Sequence, residues 1–371
     1  MVFSTIMFLF RFLPITLALY YLAPPKLKNT VLFICSLVFY CWGEVRFFPV
    51  MLSLILLNYV CGLAIQHFDQ RPGLRRFFLI AALVGSLGML FYFKYANFVL
   101  ESANALLGTS FAPIQGIQVL PLGISFYTFQ TLSYSIDVYR RDVPAERNII
   151  DFGAYVVMFP QLIAGPIVKY RDVSNQLHVY KGRYCASQIE EGMTLSGWFR
   201  EYVYIPLGGN RKGLKRQILN LFIVELLTGI WHGANWNFIC WGLYYFVLLA
   251  VEKLFLLPYL KRGRIWPHLY TLFFVVVGWA MFVGNDPGVE FGLLFQRLFI
   301  PTGGVSPLYF LRNYGVLLVV SVVCCTPLIE KLWDKLRSHT LTRVGTVLLL
   351  LTVSTAYVVG STNSPFLYFN F

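Results

Sequence analysis

Charge is what this sequence has least of. Only 13% of its 371 residues are Asp, Glu, Lys or Arg, 57% are hydrophobic, and the mean hydropathy is +0.65. A soluble domain carries roughly a quarter charged residues, so a water-soluble globule is excluded. Acid is scarcer than base, with 17 Asp and Glu against 30 Lys and Arg and a formal net charge of +13. Histidine is rare, with five copies, and the seven cysteines lack the spacing of a disulfide framework or a metal site. Cys324 and Cys325, inside an apolar run, read as small buried hydrophobes. The sequence also lacks a serine-nucleophile motif, a metal-ligand cluster, a glycine-rich nucleotide loop and a low-complexity linker.

Apolar runs fill the chain instead. Residues 5–22, 47–66, 77–100, 117–136, 149–168, 236–257 and 344–359 approach the roughly 20 residues that cross about 30 Å of hydrocarbon. Runs 29–42, 218–231, 269–283 and 314–329 are shorter or interrupted. The expectation is an all-α polytopic membrane protein with about eleven spans, nine to thirteen at the limits. It forms one membrane-embedded domain over 1–371, with N-terminal helices in 1–192 and a C-terminal part in 193–371. The first run leads through Ala23-Pro24-Pro25-Lys26 into the next, which reads as a retained span and not a cleaved signal.

Basic residues recur at alternate connections: Lys26 and Lys28, then Arg71, Arg75 and Arg76, then Arg140, Arg141 and Arg147. Later come residues 211–216, 261–264 and 331–343. The positive-inside rule puts these in the cytoplasm and the N-terminus, His232 and residues 286–310 outside. Charges that alternate with spans and gather on no single face argue against a nucleic-acid partner. One connection breaks the pattern. If 149–168 crosses outward, Lys169 starts outside, yet Arg211 belongs inside and no clear span joins them. Either residues 198–209 form an irregular or re-entrant crossing, or a crossing is missing.

The chemistry concentrates in residues 198–241. The segment opens on WFREY, breaks at Pro206, Gly208 and Gly209, and passes a basic run of Arg211, Lys212, Lys215 and Arg216. An apolar run then delivers His232 between Trp231 and Trp236, with Gly233 leaving room for close approach. An imidazole titrating near neutrality is suited to take a proton from a hydroxyl nucleophile; a histidine at the headgroup level between belt tryptophans is the plain alternative. Asn235 either orients that imidazole, if the backbone is helical, or caps the span that begins at Trp236. Arg200 and Glu201 read as a buried pair lining a donor channel or as an interfacial anchor. The basic run either draws an acidic cytoplasmic donor or simply sets topology. His67, His178, His268 and His339 read as polar groups at span ends.

Five blocks give the chain a family likeness: PLGISFYTFQTLSYSIDVYR at 121–140, FPQLIAGPIVKY at 159–170, WFREYVYIPLGGNR at 198–211, IWHGANWNFICWG at 230–242 and SPFLYFNF at 364–371. In this order they resemble the membrane-bound O-acyltransferase family, in its bacterial alginate O-acetylation branch, with the teichoic acid D-alanyl transferases more distant. The resemblance implies helices around a central cavity and a catalytic histidine at His232. It implies transfer of an acyl group, acetyl above all, from a thioester donor (acetyl-CoA or an acyl carrier) to hydroxyls of an exported glycan such as alginate. It also implies extracytoplasmic polysaccharide-acetylation partners and a bacterial inner-membrane location, without a permanently bound cofactor or metal. D-alanyl transfer to a cell-envelope polymer, or a scaffold-like relative without activity, stands beside it. The chain also departs from the pattern. Family members carry further helices and a second characteristic histidine between a block like Gln188–Gly192 and the WFREY block, whereas Gly192 here leads straight into Met193. The arginine expected after the Gly278-Trp279 block is Val283. An internal deletion near Gly192 is therefore expected, leaving the chain inactive or impaired.

Overall fold

A computed structural model of the chain describes residues 5–117, 119–162, 167–179, 194–283, 292–293, 296, 300, 306–336 and 339–360. Their regular elements are helices throughout. A π-turn at Phe8–Phe12 leads into α1 (Leu13–Leu22), followed by α2 (Lys28–Glu44), α3 (Phe48–His67), α4 (Pro72–Leu107), α5 (Ile124–Arg140), α6 (Ile149–Val157), α7 (Phe159–Leu162) and α8 (Tyr170–Val179). After these come α9 (Leu195–Phe199), continued by a π-turn at Arg200–Tyr204, α10 (Gly213–His232) and α11 (Trp236–Val251). A π-turn at Glu252–Leu256 joins α11 to α12 (Leu257–Arg262), and α13 (Trp266–Val283), α14 (Pro307–Cys324), α15 (Pro327–Leu336) and α16 (Thr340–Gly360) complete the series.

Six helical stretches among the described residues are long and apolar enough to cross a membrane: Pro25–His67, Pro72–Leu107, Trp236–Arg262, Trp266–Val283, Pro307–Cys324 and Thr340–Gly360. The first contains both α2 and α3, joined by a 3-10 turn at Val45–Phe47. The run expected over 314–329 is broken at Cys325 and Thr326. Most of 286–310, the Gly192–Met193 junction and the block at 364–371 lie outside the described residues.

The bundle is organised on α5, a helix of mixed polarity that is buried along nearly its whole length. Buried polar groups must be hydrogen-bonded to be tolerated. Asn58 of α3 meets that demand from the centre: its amide donates to Ser86 of α4 at 2.9 Å, and its carbonyl oxygen accepts from Ser135 of α5 at 2.8 Å. Around this knot pack Tyr127, Tyr134, Phe152, Tyr155 and Tyr170, joined in one core by Trp198, Phe199 and Tyr202.

Contacts along α5 order the other helices. Arg75, early in α4, donates to the carbonyl of Tyr139, and Lys94, later in α4, reaches Ser125 at 3.3 Å, so α4 and α5 run antiparallel. Arg140 donates to the carbonyl of Glu201 at 3.3 Å and lies over the Tyr202 ring, just before α10, while Trp231 at the far end of α10 packs on Phe126. Arg75, Arg140 and the start of α10 thus gather at one end of the bundle. Lys94, Ser125, Trp231 and His232 gather at the other, as the alternation of basic connections anticipates.

Residues 149–168 correct an expectation. They are not one crossing helix. α6 ends after nine residues, with Met158 leaving the helical region (φ −50°, ψ 116°) shortly before Pro160. The proline lacks a backbone donor, and the chain preceding a proline is biased away from helix. Tyr170 donates to the carboxylate of Glu146, and Lys169 pairs with Glu201 at 3.2 Å. The chain that leaves at Arg147 has therefore returned to the basic end by Lys169. A bilayer tolerates such a break only where protein surrounds the backbone, and α6 is buried from Phe152 to Val157. No further crossing between Lys169 and Arg211 is then needed, and the charge pattern stops arguing for a missing one. Residues 198–209 are irregular, as expected. The Trp198 ring meets Phe129 at 4.3 Å and the Tyr202 hydroxyl donates to Asp137 at 2.9 Å, so α9 and its π-turn lie along α5 from Phe129 to Asp137.

Candidate active site

α10 is pinned at its start by side chains from its own first turns. Asn220 donates to the Gly209 carbonyl at 3.1 Å, Arg216 to the Leu207 carbonyl at 3.1 Å, and Gln217 to Asn210. Gly208 and Gly209 take the positive φ values, 110° and 54°, that let the loop double back. Arg216 is thus a structural donor, while Arg211, Lys212 and Lys215 remain exposed. From Arg216 to His232 the helix rises about 24 Å at 1.5 Å per residue. The basic run and His232 occupy opposite ends of one helix.

At its far end α10 turns back into α11, and the two cross with backbones almost touching. A Cβ built on Gly242 would lie 2.4 Å from the carbonyl oxygen of Glu225, and one on Gly229 would lie 2.4 Å from that of Phe238. The crossing places the His232 ring in an aromatic enclosure. Trp231, Trp241 and Phe282 meet it edge-on with centroids at 5.0, 5.0 and 5.2 Å, and Phe238 lies roughly parallel at 6.5 Å. Gly233 is what admits Phe238, because a Cβ there would stand 2.2 Å from that ring.

The other expected site residues fare differently. Asn235 has an extended backbone (φ −151°, ψ 150°), not the helical one needed to turn it towards His232; its side-chain oxygen accepts from the Asn237 N–H at 3.2 Å and caps α11. Arg200 and Glu201 do not pair. Successive helical residues point about 100° apart, and Arg200 faces outward while Glu201 turns in to Lys169 (3.2 Å) and Arg171 (2.7 Å). Burial pushes the Glu201 carboxyl up, but the Lys169 ammonium and then the Arg171 guanidinium outweigh it and hold the group below its ordinary range.

Sequence reading passed over Lys94, whose ammonium donates to the Trp231 carbonyl and lies within electrostatic reach of His232. The signal was present. A lysine deep inside an apolar run is a functional marker by default, and residues 77–100 contain one. Next to the site an apolar cavity of ≈ 710 Å³, walled by Phe91, Tyr95, Phe129, Phe199 and Trp231 among others, opens on Gly233. Among the described residues the buried indole N–H groups of Trp231 and Trp198 have no acceptor. An imidazole beside an apolar cavity, with the Lys94 ammonium and the Trp231 indole close by, is equipped for proton transfer to and from a polar substrate.

Residues 193–286 match MBOAT, the membrane-bound O-acyltransferase family. The chain is 34% identical to a probable alginate O-acetylase of Pseudomonas putida, over 76% of this chain and 77% of the relative, and 33% identical to the Pseudomonas aeruginosa counterpart over 76% and 72%. It is 25% identical to the peptidoglycan O-acetyltransferase of Helicobacter pylori over all of this chain and 98% of that one. That last alignment runs over 521 positions although this chain has 371 residues, so about 150 positions face nothing here. A multi-pass helical chain with the His232 block in place and this breadth of likeness belongs to the membrane-bound O-acyltransferase family, in its alginate O-acetylase branch, and is an O-acyltransferase.

Proposed function

We propose that the chain acetylates hydroxyls of an exported polysaccharide, alginate or a related glycan, at the inner membrane of a bacterium. Acetyl-CoA or an acyl carrier serves as cytoplasmic thioester donor, and extracytoplasmic acetylation proteins act as partners. The observation that carries this reading is the separation along α10, with exposed cations at one end and an enclosed imidazole at the other. An acidic donor approaching the cations and a glycan reaching His232 come from opposite faces. The names of the relatives, alginate O-acetylase and peptidoglycan O-acetyltransferase, support a glycan hydroxyl as acceptor.

His232 takes the proton of the attacking hydroxyl as its oxygen bonds to the thioester carbonyl. The tetrahedral oxyanion is stabilised by nearby donors, and its collapse breaks the C–S bond. The leaving thiolate recovers the proton from the imidazolium, giving ester and free thiol.

A second reading is favoured by the 521-position alignment: this chain is an impaired form lacking a segment, which the order of the sequence blocks puts between Gly192 and Met193. Expressing the chain and a chimera carrying a relative's segment at that junction, at matched abundance with the partner proteins, separates the two. Acetyl groups on exported polysaccharide made by the chain alone support the enzymatic reading. Acetylation restored only in the chimera establishes the impaired form, and none from either removes the glycan reading.

A further inference from the structure

Lys94 lies inside a 36-residue helix among the more apolar stretches of the chain, where an ammonium is costly unless paired or facing water. It is turned onto another helix. Its Nζ donates to the carbonyl of Trp231 and to Ser125 Oγ at 3.3 Å, and it lies 5.7 Å from the Trp231 ring centre. The next residue, Tyr95, donates its hydroxyl to the carbonyl of Ile230 at 2.7 Å. Ile230 and Trp231 immediately precede His232, and their carbonyls are among the four at the helix end that have no intrahelical donor. The chain leaves the helix at Gly233 in an extended conformation (φ −171°, ψ 161°), so the left-handed cap that commonly satisfies such carbonyls is absent. Neighbouring residues of α4 therefore do the capping, one of them with a positive charge at the negative end of the helix dipole.

We infer that Lys94 and Tyr95 are positioning residues for His232: by tying off the last two carbonyls before it, they hold the imidazole in its aromatic enclosure beside the apolar cavity. The inference rests on the reading of His232 as the base only for its catalytic consequence; the clamp itself is a matter of geometry. A lysine serving topology alone would extend towards the headgroups. Lys94 points at a carbonyl at the end of the bundle opposite Arg75.

The test measures two things on the full chain in membranes. The first is the rate at which diethyl pyrocarbonate modifies His232, followed on its peptide by mass spectrometry, which needs no enzymatic activity. The second is acetyl transfer, resolved into kcat and KM. Lys94→Met should let the last turn fray and raise His232 modification about tenfold, and Tyr95→Phe, which keeps the charge and the ring, roughly threefold. Lys94→Cys treated with 2-bromoethylamine regains an ammonium at lysine length and should return to the parent rate. Where the parent turns over, kcat should fall about 100-fold in Lys94→Met with the donor KM within about twofold, the pattern of a misplaced base. Unchanged His232 modification in both Lys94→Met and Tyr95→Phe overturns the inference, as does aminoethylation that restores nothing. If Lys94→Met does not accumulate in the membrane, Tyr95→Phe decides. If the parent transfers no acetyl, the reading of function fails while the modification rates still judge the clamp.

Discussion

At the scale of single residues, chemistry was legible where a side chain was rare for its surroundings. His232 stood out because a lone imidazole ended an apolar run between tryptophans. Replacing it with Ala should cut acetyl transfer about 10²–10⁴-fold, the range for loss of a general base, at unchanged protein abundance; acetylation of exported glycan at matched expression checks this. His67→Ala should leave the same assay unmoved, since His67 sits at the basic end of the bundle. Glu201 shows the converse. Its partners, Lys169 and Arg171, lie some thirty residues earlier in the chain, and proximity in sequence suggested Arg200 instead. Because the folded carboxyl is held below its ordinary pKa, its ion pairs add stability above about pH 4.3, the unfolded value, and that stability is lost as pH falls through the folded pKa. Thermal unfolding in detergent should therefore show Glu201→Gln less stable than the parent at pH 7, the gap closing below about pH 4. A gap that persists in acid would show that the pairing contributes nothing.

At the scale of elements, what matters is whether a helix may end inside the bilayer. The apolar count over 149–168 promised a span, but the element stops at Val157 because protein buries it from Phe152 onward and Pro160 cannot continue it. Counting hydrophobic residues cannot distinguish lipid from protein as the apolar neighbour. The α10–α11 hairpin depends on a contact of similar subtlety. A methyl group at Gly242 would overlap a backbone carbonyl, which no rotamer can relieve. Gly242→Ala should cost roughly 1–3 kcal/mol and displace His232. The expected readout is a lower Tm in detergent together with lost acetyl transfer, whereas Gly345→Ala, where a Cβ meets nothing within 4 Å, should be silent.

At the scale of the whole molecule, the two ends of the bundle are chemically distinct. One gathers Arg75, Arg140 and the exposed Arg211, Lys212 and Lys215; the other holds Lys94, Ser125 and His232. Cysteines placed singly at Arg75 and Lys212 in a cysteine-free background should resist an impermeant maleimide in intact cells, and one at Gly303 should react. Labelling at Arg75 with protection at Gly303 would invert the arrangement. The sequence by itself determined the class, the basic rhythm of the connections, the family blocks and the place of His232 within one of them, because composition and local spacing are properties a linear chain carries openly. Tertiary structure alone decided that 149–168 turns back, that Glu201 answers Lys169 and Arg171, that Asn235 caps a helix, and that Lys94 and Tyr95 grip the two carbonyls before His232. The reason is physical. Each of these depends on which groups meet across 30 or more residues of chain or on a backbone angle at one position, and in a medium without water to satisfy polar groups those distant meetings set where each helix ends.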